Sequence, residues 1–171
     1  MELKKELETK DLILKPYEAR YVADAYNNIF CNEETAKYVL WKTASNIIET
    51  QEKLEKWDKS FKLLLLIIEK KTSECIGYVA TDEIEPDIYD HLGIAIGTKF
   101  TQKGYASQVL LALIDYLKSL NAKELRYSHF KENVASQKLA QKIGFEYIKE
   151  QKNIRNWDKK EFDECVYTLA L

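Results

Sequence analysis

Apolar residues repeat along this chain with two different periods, and each change of period separates predicted strands from predicted helices. Short apolar runs bounded by charged or turn-forming residues predict strands over 12–14, 61–69, 76–84 and 89–96. Their order indicates antiparallel strands in series through the middle of the chain. Gly93, within the last run, marks either a bulge or a close approach of the backbone.

A 3.6-residue period of apolar residues predicts helices elsewhere, most clearly over 105–120, where one apolar stripe runs the length of the segment. Three further helices are expected, over 17–29, 45–58 and 133–142. Ser45 is expected to cap the second of these and Gly144 to end the third.

Three more strands are predicted near the end of the chain, over 125–130, 145–154 and 162–169. Helices and strands do not alternate regularly, which argues against a doubly wound sheet. The order predicts an α/β (α+β) fold, with a mixed, mostly antiparallel central sheet of about six to seven strands flanked by helices.

Length and composition narrow the class of protein. The 171 residues fit one domain, 1–171, and 26 basic against 28 acidic residues leave a net charge of −2, which favours neither nucleic acid nor an anionic membrane as partner. The longest apolar run, 63–68, is too short to span a membrane, and the charged N-terminus is unlike a signal peptide. Cys31, Cys75 and Cys165 lack metal-ligand spacing, so we expect a cytoplasmic protein without a metal.

The segment with most chemical character runs from the strand residues Ile94-Ala95-Ile96 through a polar loop into the clearest helix. The first N–H groups of a helix lack partners, and its macrodipole attracts anions. Gly104, at the helix start, lets a ligand approach the backbone, so a pyrophosphate fits this turn. The alternative is a tight turn that binds nothing. Neither the Walker motif nor the dinucleotide fingerprint is present.

The string Thr101-Gln102-Lys103-Gly104-Tyr105-Ala106 resembles the acetyl-CoA pyrophosphate loop of GNAT acetyltransferases, Gln/Arg-x-x-Gly-x-Gly/Ala. Gly104 and Ala106 match, whereas Thr101 departs from the pattern. Residues 133–145 resemble the family's Asn-x-x-Ser helix followed by Lys-x-Gly-Phe, and the segments 7–16 and 163–169 resemble the branch of the ribosomal-protein alanine N-acetyltransferases. The resemblance covers essentially the whole chain and implies a sheet that is splayed at the cofactor-binding strand.

This resemblance implies a set of residues that contact acetyl-CoA. The strand residues would bind the acetyl and pantetheine groups through their backbone, the loop would bind the pyrophosphate, and Asn133 would contact the cofactor from the later helix. The residues concerned are Ile94, Ala95, Ile96, Gln102, Lys103, Gly104, Tyr105, Ala106, Ser107 and Asn133. Lys138 and Lys142 either approach the nucleotide end or belong to a solvated helix face.

Two catalytic residues follow from the same resemblance. Ala140 stands where many GNAT enzymes carry a tyrosine acid, so Ser136 is expected to assist departure of the CoA thiolate, unless it only bonds its own helix. Because an imidazole titrates near neutrality, His91 is a candidate general base. The alternatives are that His91 is an ordinary strand residue and that Asp90 or a more distant carboxylate is the base. His129 is expected to be structural.

Tyr26, Tyr38 and Trp41 fall in the helical insert that walls the acceptor site in this family, where they either line an amine-binding groove or pack helices onto the sheet. The expected activity is direct transfer of an acetyl group from acetyl-CoA to a primary amine, on a protein N-terminus or a small molecule. The alternative is a catalytically silent CoA-binding sensor. A homodimer is left open.

Overall fold

The computed structural model describes residues 6–171. Eight strands form one sheet in the order β1-β2-β3-β4-β5-β6-β8-β7, and every neighbouring pair is antiparallel except β5 and β6, which are parallel. The strands are β1 (Leu7–Glu8), β2 (Leu12–Lys15), β3 (Leu63–Glu69), β4 (Cys75–Glu85), β5 (Ile88–Ile96), β6 (Glu124–Phe130), β7 (Glu146–Arg155) and β8 (Glu161–Ala170). The mixed, mostly antiparallel sheet is confirmed, and the two-residue strand β1 adds one to the seven predicted strands.

Helices cover both faces of this sheet. The longer ones are α2 (Ile47–Ser60), α3 (Tyr105–Ser119) and α4 (Val134–Ile143). Shorter helical segments are a 3₁₀ turn (Ala19–Tyr21), α1 (Val22–Ala25), a π turn (Tyr26–Phe30) and two further 3₁₀ turns (Thr35–Tyr38 and Thr98–Phe100).

Strand β3 explains the layered arrangement, because all seven of its residues are buried. Successive side chains of a strand point to opposite faces. Leu63, Leu65 and Ile67 accordingly pack in one cluster with α3, and Leu64 and its alternate neighbours pack in a second cluster with the segment from α1 to α2. An unbroken apolar run is therefore required at this strand, since both of its faces are core.

The helices of the first third of the chain differ from the prediction. The segment predicted as one helix over 17–29 divides into a 3₁₀ turn, a single α turn and a π turn. The N-cap of α2 is Asn46 rather than Ser45, since the Asn46 side chain accepts from the Glu49 backbone N–H at 3.0 Å. Ser45 instead donates its own N–H to the Glu49 carboxylate. By contrast Gly144 ends α4 as predicted, with φ +101°.

Strand β5 parts from β6 soon after it begins. The two strands pair only at Ile88 with Glu124 and at Tyr89 with Leu125. On its other side, β5 changes register against β4 between residues 90 and 93, with His91 at φ +55°, which makes a β-bulge. A bulge bends its strand. The bulge therefore lies two residues before Gly93, at the point where β5 and β6 separate.

Candidate active site

The separation of β5 from β6 opens a cleft of about 1340 Å³ across the middle of the molecule. We call its one side the loop wall, formed by residues 101–107 and the first turns of α3 and α4. We call its other side the aromatic wall, formed by Tyr38, Trp41, Trp57 and Tyr78. The free edge of β5 runs between the two.

The backbone of β5 offers hydrogen-bond donors to this cleft. Gly97 donates its N–H to the Ile76 carbonyl on β4 at 2.8 Å. Alternate N–H groups of a strand point to opposite edges, so the N–H of Ile96, one residue earlier, points into the cleft. Ile94, Ala95 and Ile96 all line it.

The loop wall has the geometry of an anion cradle. Gly104 is the N-cap of α3 and has φ +75°, a left-handed conformation, and a Cβ built on it would meet no atom within 4 Å. Within the described part of the chain, the N–H groups of residues 102–107 donate no hydrogen bond. These free donors stand at the positive end of a 15-residue helix. The loop wall can therefore bind a phosphate through the backbone alone.

Two predicted loop residues point their side chains elsewhere. Glu69, whose side chain is 3% exposed, accepts hydrogen bonds from the Tyr105 hydroxyl at 2.7 Å and from the Lys103 ammonium at 3.4 Å. Lys103 does not line the cleft, although Gln102, Tyr105, Ala106 and Ser107 do. Glu69 therefore ties this loop to the end of β3.

The groups around Glu69 determine the pKa of its carboxylate. Burial acts to raise the pKa of Glu69, but hydrogen bonds from Tyr105, Thr72 and Lys103 together hold it below its usual range. The same contact raises the pKa of Tyr105 to about 12, because its hydroxyl donates to a carboxylate. Glu69 is thus a buried anion that is stabilised only by the loop and turn around it.

The start of α4 forms the far end of the loop wall. Asn133 caps the helix, with its side-chain oxygen accepting from the Ser136 N–H at 3.2 Å. Both residues line the cleft, as do Lys138 and Lys142. Burial raises the pKa of Tyr127 on β6, and the nearby Ser136 hydroxyl acts in the opposite direction. Ser136 is therefore a cleft hydroxyl beside a buried phenol, and Ala140 is wholly buried.

The two histidines occupy opposite environments. His91 is on the bulge with its side chain 66% exposed, and its Nδ1 lies 3.7 Å from the Asp82 carboxylate. His129 is buried under α4, with Nδ1 at 2.9 Å from the Phe130 carbonyl and its ring stacked on Tyr167. Its Nε2 has no partner within residues 6–171. Both histidines line the cleft.

The aromatic wall is a packed group of rings. The Trp41 indole N–H donates to the Tyr78 hydroxyl at 2.7 Å, and the Phe30 ring stacks on Tyr78 at 5.8 Å. Tyr38 and Trp41 line the cleft, whereas Tyr26 does not: its hydroxyl donates to the Ser45 carbonyl and its ring packs among the helices. Of the two alternatives for these rings, lining a groove or packing the helices, Tyr26 therefore takes the second.

Sequence reasoning missed four residues of this cleft: Tyr78, Tyr127, Trp57 and Glu164. None belongs to a motif, and Tyr78 and Tyr127 sit in apolar strand patterns typical of core residues. Glu164 lies beside Cys165 in a segment used only for its likeness to a family ending. The signal that finds them is tertiary, because they lie on four separate elements, α2, β4, β6 and β8, that border the cleft.

Within residues 6–171, no helix is long and apolar enough to cross a membrane, and no three His, Cys, Asp or Glu side chains are grouped to hold a metal ion.

The cleft therefore combines a mixed sheet that opens between β5 and β6 with an anion cradle at the start of α3. The family model for the acetyltransferase (GNAT) domain matches residues 11–146. The chain therefore belongs to the GNAT family and is an acyltransferase, as its loop and α4 motifs predicted. A sequence comparison with curated proteins finds no significant match.

Solved structures share this fold at low sequence identity. A putative ribosomal-protein-serine acetyltransferase from Vibrio cholerae has a TM-score of 0.84 at 22% identity, with 100% of each chain covered. The acetyltransferase MccE of microcin C7 self-immunity, in complex with acetyl-CoA and AMP, has a TM-score of 0.83 at 18% identity over 95% of this chain and 94% of that one. RimL, a ribosomal L7/L12 α-N-protein acetyltransferase in complex with CoA, has a TM-score of 0.85 at 18% identity over 98% of each chain.

Proposed function

We propose that the protein transfers the acetyl group of acetyl-CoA directly to a primary amine, on a protein N-terminus or a small molecule. The observation that carries the proposal is the free edge of β5, which runs from the bulge at His91 to the anion cradle at Gly104. A thioester with a long polar arm and a pyrophosphate fits a free strand edge that ends at an anion cradle.

The fit of acetyl-CoA rests on three groups of this chain. The free N–H groups of residues 102–107 would hold the pyrophosphate, with Lys138 and Lys142 supplying positive charge nearby. The backbone of Ile94 to Ile96 would pair with the amides of the pantetheine arm. The amide nitrogen of Asn133 is free to donate, since its oxygen caps α4. When bound, acetyl-CoA supplies an activated thioester carbonyl.

Groups that line the cleft would also stabilise the carbonyl oxygen, assist the leaving sulfur and hold the acceptor. The Ile96 N–H would donate to the carbonyl oxygen as negative charge develops on it. Position 140, where many GNAT enzymes carry a tyrosine acid, is an alanine in this chain. Ser136 would therefore donate to the sulfur as it leaves. The aromatic wall would hold the acceptor opposite the loop wall, so that the amine meets the thioester beside the free edge of β5.

Acetyl-CoA binding is tested by thermal unfolding and calorimetry. A ligand at a hundredfold excess over its dissociation constant stabilises the native state by about 2.7 kcal/mol. Acetyl-CoA should therefore raise Tm, and NAD or ATP should not. An unchanged Tm at millimolar acetyl-CoA, with no heat of binding, would contradict the proposal.

The acceptor is tested with a panel of amines: peptides with N-terminal serine or alanine, spermidine and an aminoglycoside. Released CoA is measured with a thiol reagent, and an enzyme blank is required because Cys31 is exposed. Mass spectrometry of the acceptor then shows whether a nitrogen has been acetylated. A chain that binds acetyl-CoA and acetylates none of these amines would limit the proposal to binding.

A further inference from the structure

Within residues 6–171, Glu164 is a carboxylate without a partner on a pair of strands where three other carboxylates are paired. Close by along β7 and β8, Glu161 pairs with Arg155 at 2.9 Å, Asp163 with Lys152 at 3.0 Å and Glu150 with Lys131 at 2.9 Å. Within residues 6–171, no hydrogen bond or ion pair is made by the Glu164 carboxylate. It is half-buried and lines the cleft.

The strand register places Glu164 among apolar groups. It pairs with Phe130 on β6 and with Gln151 on β7, and the Phe130 ring stacks on Phe162 at 4.3 Å. Paired residues of neighbouring strands share a face, so Glu164 lies beside this stacked pair. An ionised carboxylate in such surroundings is short of solvation unless a cation binds to it.

The other carboxylates near the bulge are already engaged. Asp90 accepts the His91 backbone N–H at 2.6 Å and lies 3.9 Å from Arg126. Asp82 accepts the Lys62 N–H at 2.8 Å and lies beside the His91 ring. Glu164 faces the same cleft from β8, and within residues 6–171 its carboxylate makes neither a hydrogen bond nor an ion pair.

We propose that Glu164 binds the ammonium group of the acceptor and takes its proton, which makes the substrate class a cationic primary amine. This assignment rests on the proposed function and gives Glu164 the role that the sequence suggested for His91. Among the alternatives left open by the sequence, it selects the more distant carboxylate.

The step balances with this single base. The ammonium gives one proton to the Glu164 carboxylate, and the neutral amine forms a C–N bond to the thioester carbon. The C–S bond then breaks, Ser136 or water gives a proton to the departing sulfur, and the nitrogen's second proton replaces the one that Ser136 or water gave. The products are the amide, CoA as the thiol, and one proton released to solvent when Glu164 ionises again.

The electrostatic environment supports this role. Burial raises the pKa of Glu164, Asp90 raises it further, and His91 lowers it. A carboxylate with a raised pKa is a stronger base. The other charged groups and histidines that line the cleft are Glu34 before the 3₁₀ turn at Thr35, Asp82 on β4, Asp90 and His91 on β5, His129 on β6, and Lys138 and Lys142 on α4. Arg126 on β6 lies 3.9 Å from Asp90.

The test is the pH profile of kcat/KM for Glu164→Gln, with spermidine and an N-terminal-serine peptide as probes. We expect kcat/KM at neutral pH to fall about 10- to 100-fold, with the deficit shrinking at high pH, where the acceptor is already a free amine. Glu164→Asp should keep the acidic limb of the profile at a lower rate. The calorimetric Kd for acetyl-CoA should be unchanged in both.

Asp163→Asn is the matched control, since Asp163 is adjacent on the same strand but pairs with Lys152. It should retain wild-type kcat/KM within about twofold. His91→Ala should shift the acidic limb to higher pH without abolishing it. A Glu164→Gln enzyme with a wild-type profile, or loss of the limb in His91→Ala alone, would overturn the assignment.

A binding measurement separates this proposal from the proposed function. Wild-type protein saturated with CoA should bind spermidine or the serine peptide, and Glu164→Gln should bind it at least tenfold more weakly. If neither amine binds the CoA-saturated wild type, the assignment of Glu164 is overturned even where acetyl-CoA binds normally. If acetyl-CoA itself does not bind, the proposed function has failed instead.

Discussion

The two walls of the cleft use different chemical groups for binding. The loop wall presents backbone N–H groups at a helix start, ordered by the left-handed Gly104 and by the Glu69 contacts to Tyr105 and Lys103. The aromatic wall presents side chains from separate elements, held by ring packing and by the Trp41 to Tyr78 hydrogen bond. Backbone N–H groups can bind the phosphate that all cofactors of one class share. A binding surface made of side chains, by contrast, can be changed by substitution to suit a different acceptor.

The difference implies separable functions. Changes in the loop wall should alter acetyl-CoA affinity and leave the acceptor untouched, and changes in the aromatic wall should do the reverse. Ser136, in the first turn of α4, is the exception within the loop wall: it would act only on the leaving sulfur and should affect neither affinity. Each variant below tests this separation.

Gly104→Val should have the largest effect. A β-branched residue resists φ +75° and projects into the space where a phosphate would lie, so we expect acetyl-CoA affinity to fall by roughly 100-fold or more. The measurement is calorimetric titration with acetyl-CoA, with circular dichroism to show that the fold persists.

Gly144→Val is the matched control, because Gly144 also has positive φ and open space around its Cβ position but lies outside the cleft. Both variants should lose about 1–2 kcal/mol of stability from backbone strain. Only Gly104→Val should lose acetyl-CoA. Equal losses of affinity in the two variants would show that strain, rather than the cradle, controls binding.

Ser136→Ala should have the next largest effect, on rate alone. Its contact with sulfur would strengthen only as charge develops there, so we expect kcat to fall about 10- to 100-fold. The Kd for acetyl-CoA and the KM for the acceptor should stay near wild type. A variant with unchanged kcat would leave Ser136 with its backbone role in the first turn of α4.

The loop wall could be predicted from the sequence for a physical reason. An anion cradle needs a strand end, a glycine and a helix start in succession, and all three are contiguous between residues 94 and 107. The sheet could be predicted equally well, because the spacing of apolar residues shows which faces of a strand or helix are buried. The bulge was placed two residues late because Gly93 is the flexible residue, whereas His91 is the one with positive φ.

Trp57, Tyr78 and Glu164 could not be predicted as cleft residues, since their neighbours are distant in sequence. Trp41 meets Tyr78 across 37 positions, and Phe130 meets Glu164 only through strand pairing. The irregular helix over 17–29 was missed because its apolar spacing fits a regular helix, while its backbone tightens and then widens around Asn28, which donates to the Cys75 carbonyl. The outcome at Tyr26 follows from the same irregularity.

Trp41→Phe tests the aromatic wall. The ring is largely retained, but the buried Tyr78 hydroxyl loses its indole donor, which should cost about 1 kcal/mol of stability. We expect the acceptor KM to rise about three- to tenfold with little change in the Kd for acetyl-CoA. An acetyl-CoA affinity that falls in parallel would show that the walls are mechanically coupled.

Glu69→Gln should have the smallest effect on binding and a distinct effect on stability. The amide oxygen can still accept from Tyr105 and Thr72, so the loop keeps its shape and acetyl-CoA affinity should change by less than about threefold. The buried charge-assisted contacts are lost, and stability at pH 7 should fall by about 1–2 kcal/mol. Glu74→Gln, at a partly exposed neighbouring position, is the control and should be neutral.

The pH dependence gives this last variant its specific signature. The folded pKa of Glu69 is lowered from its ordinary 4.5, so its stabilisation is present above that value and disappears as pH falls through the folded pKa. Wild type and Glu69→Gln should therefore differ in urea unfolding at pH 7 and converge below pH 4.5. A stability difference that persists unchanged at acid pH would mean that Glu69 acts through packing, and the loop wall would then be ordered without its charge.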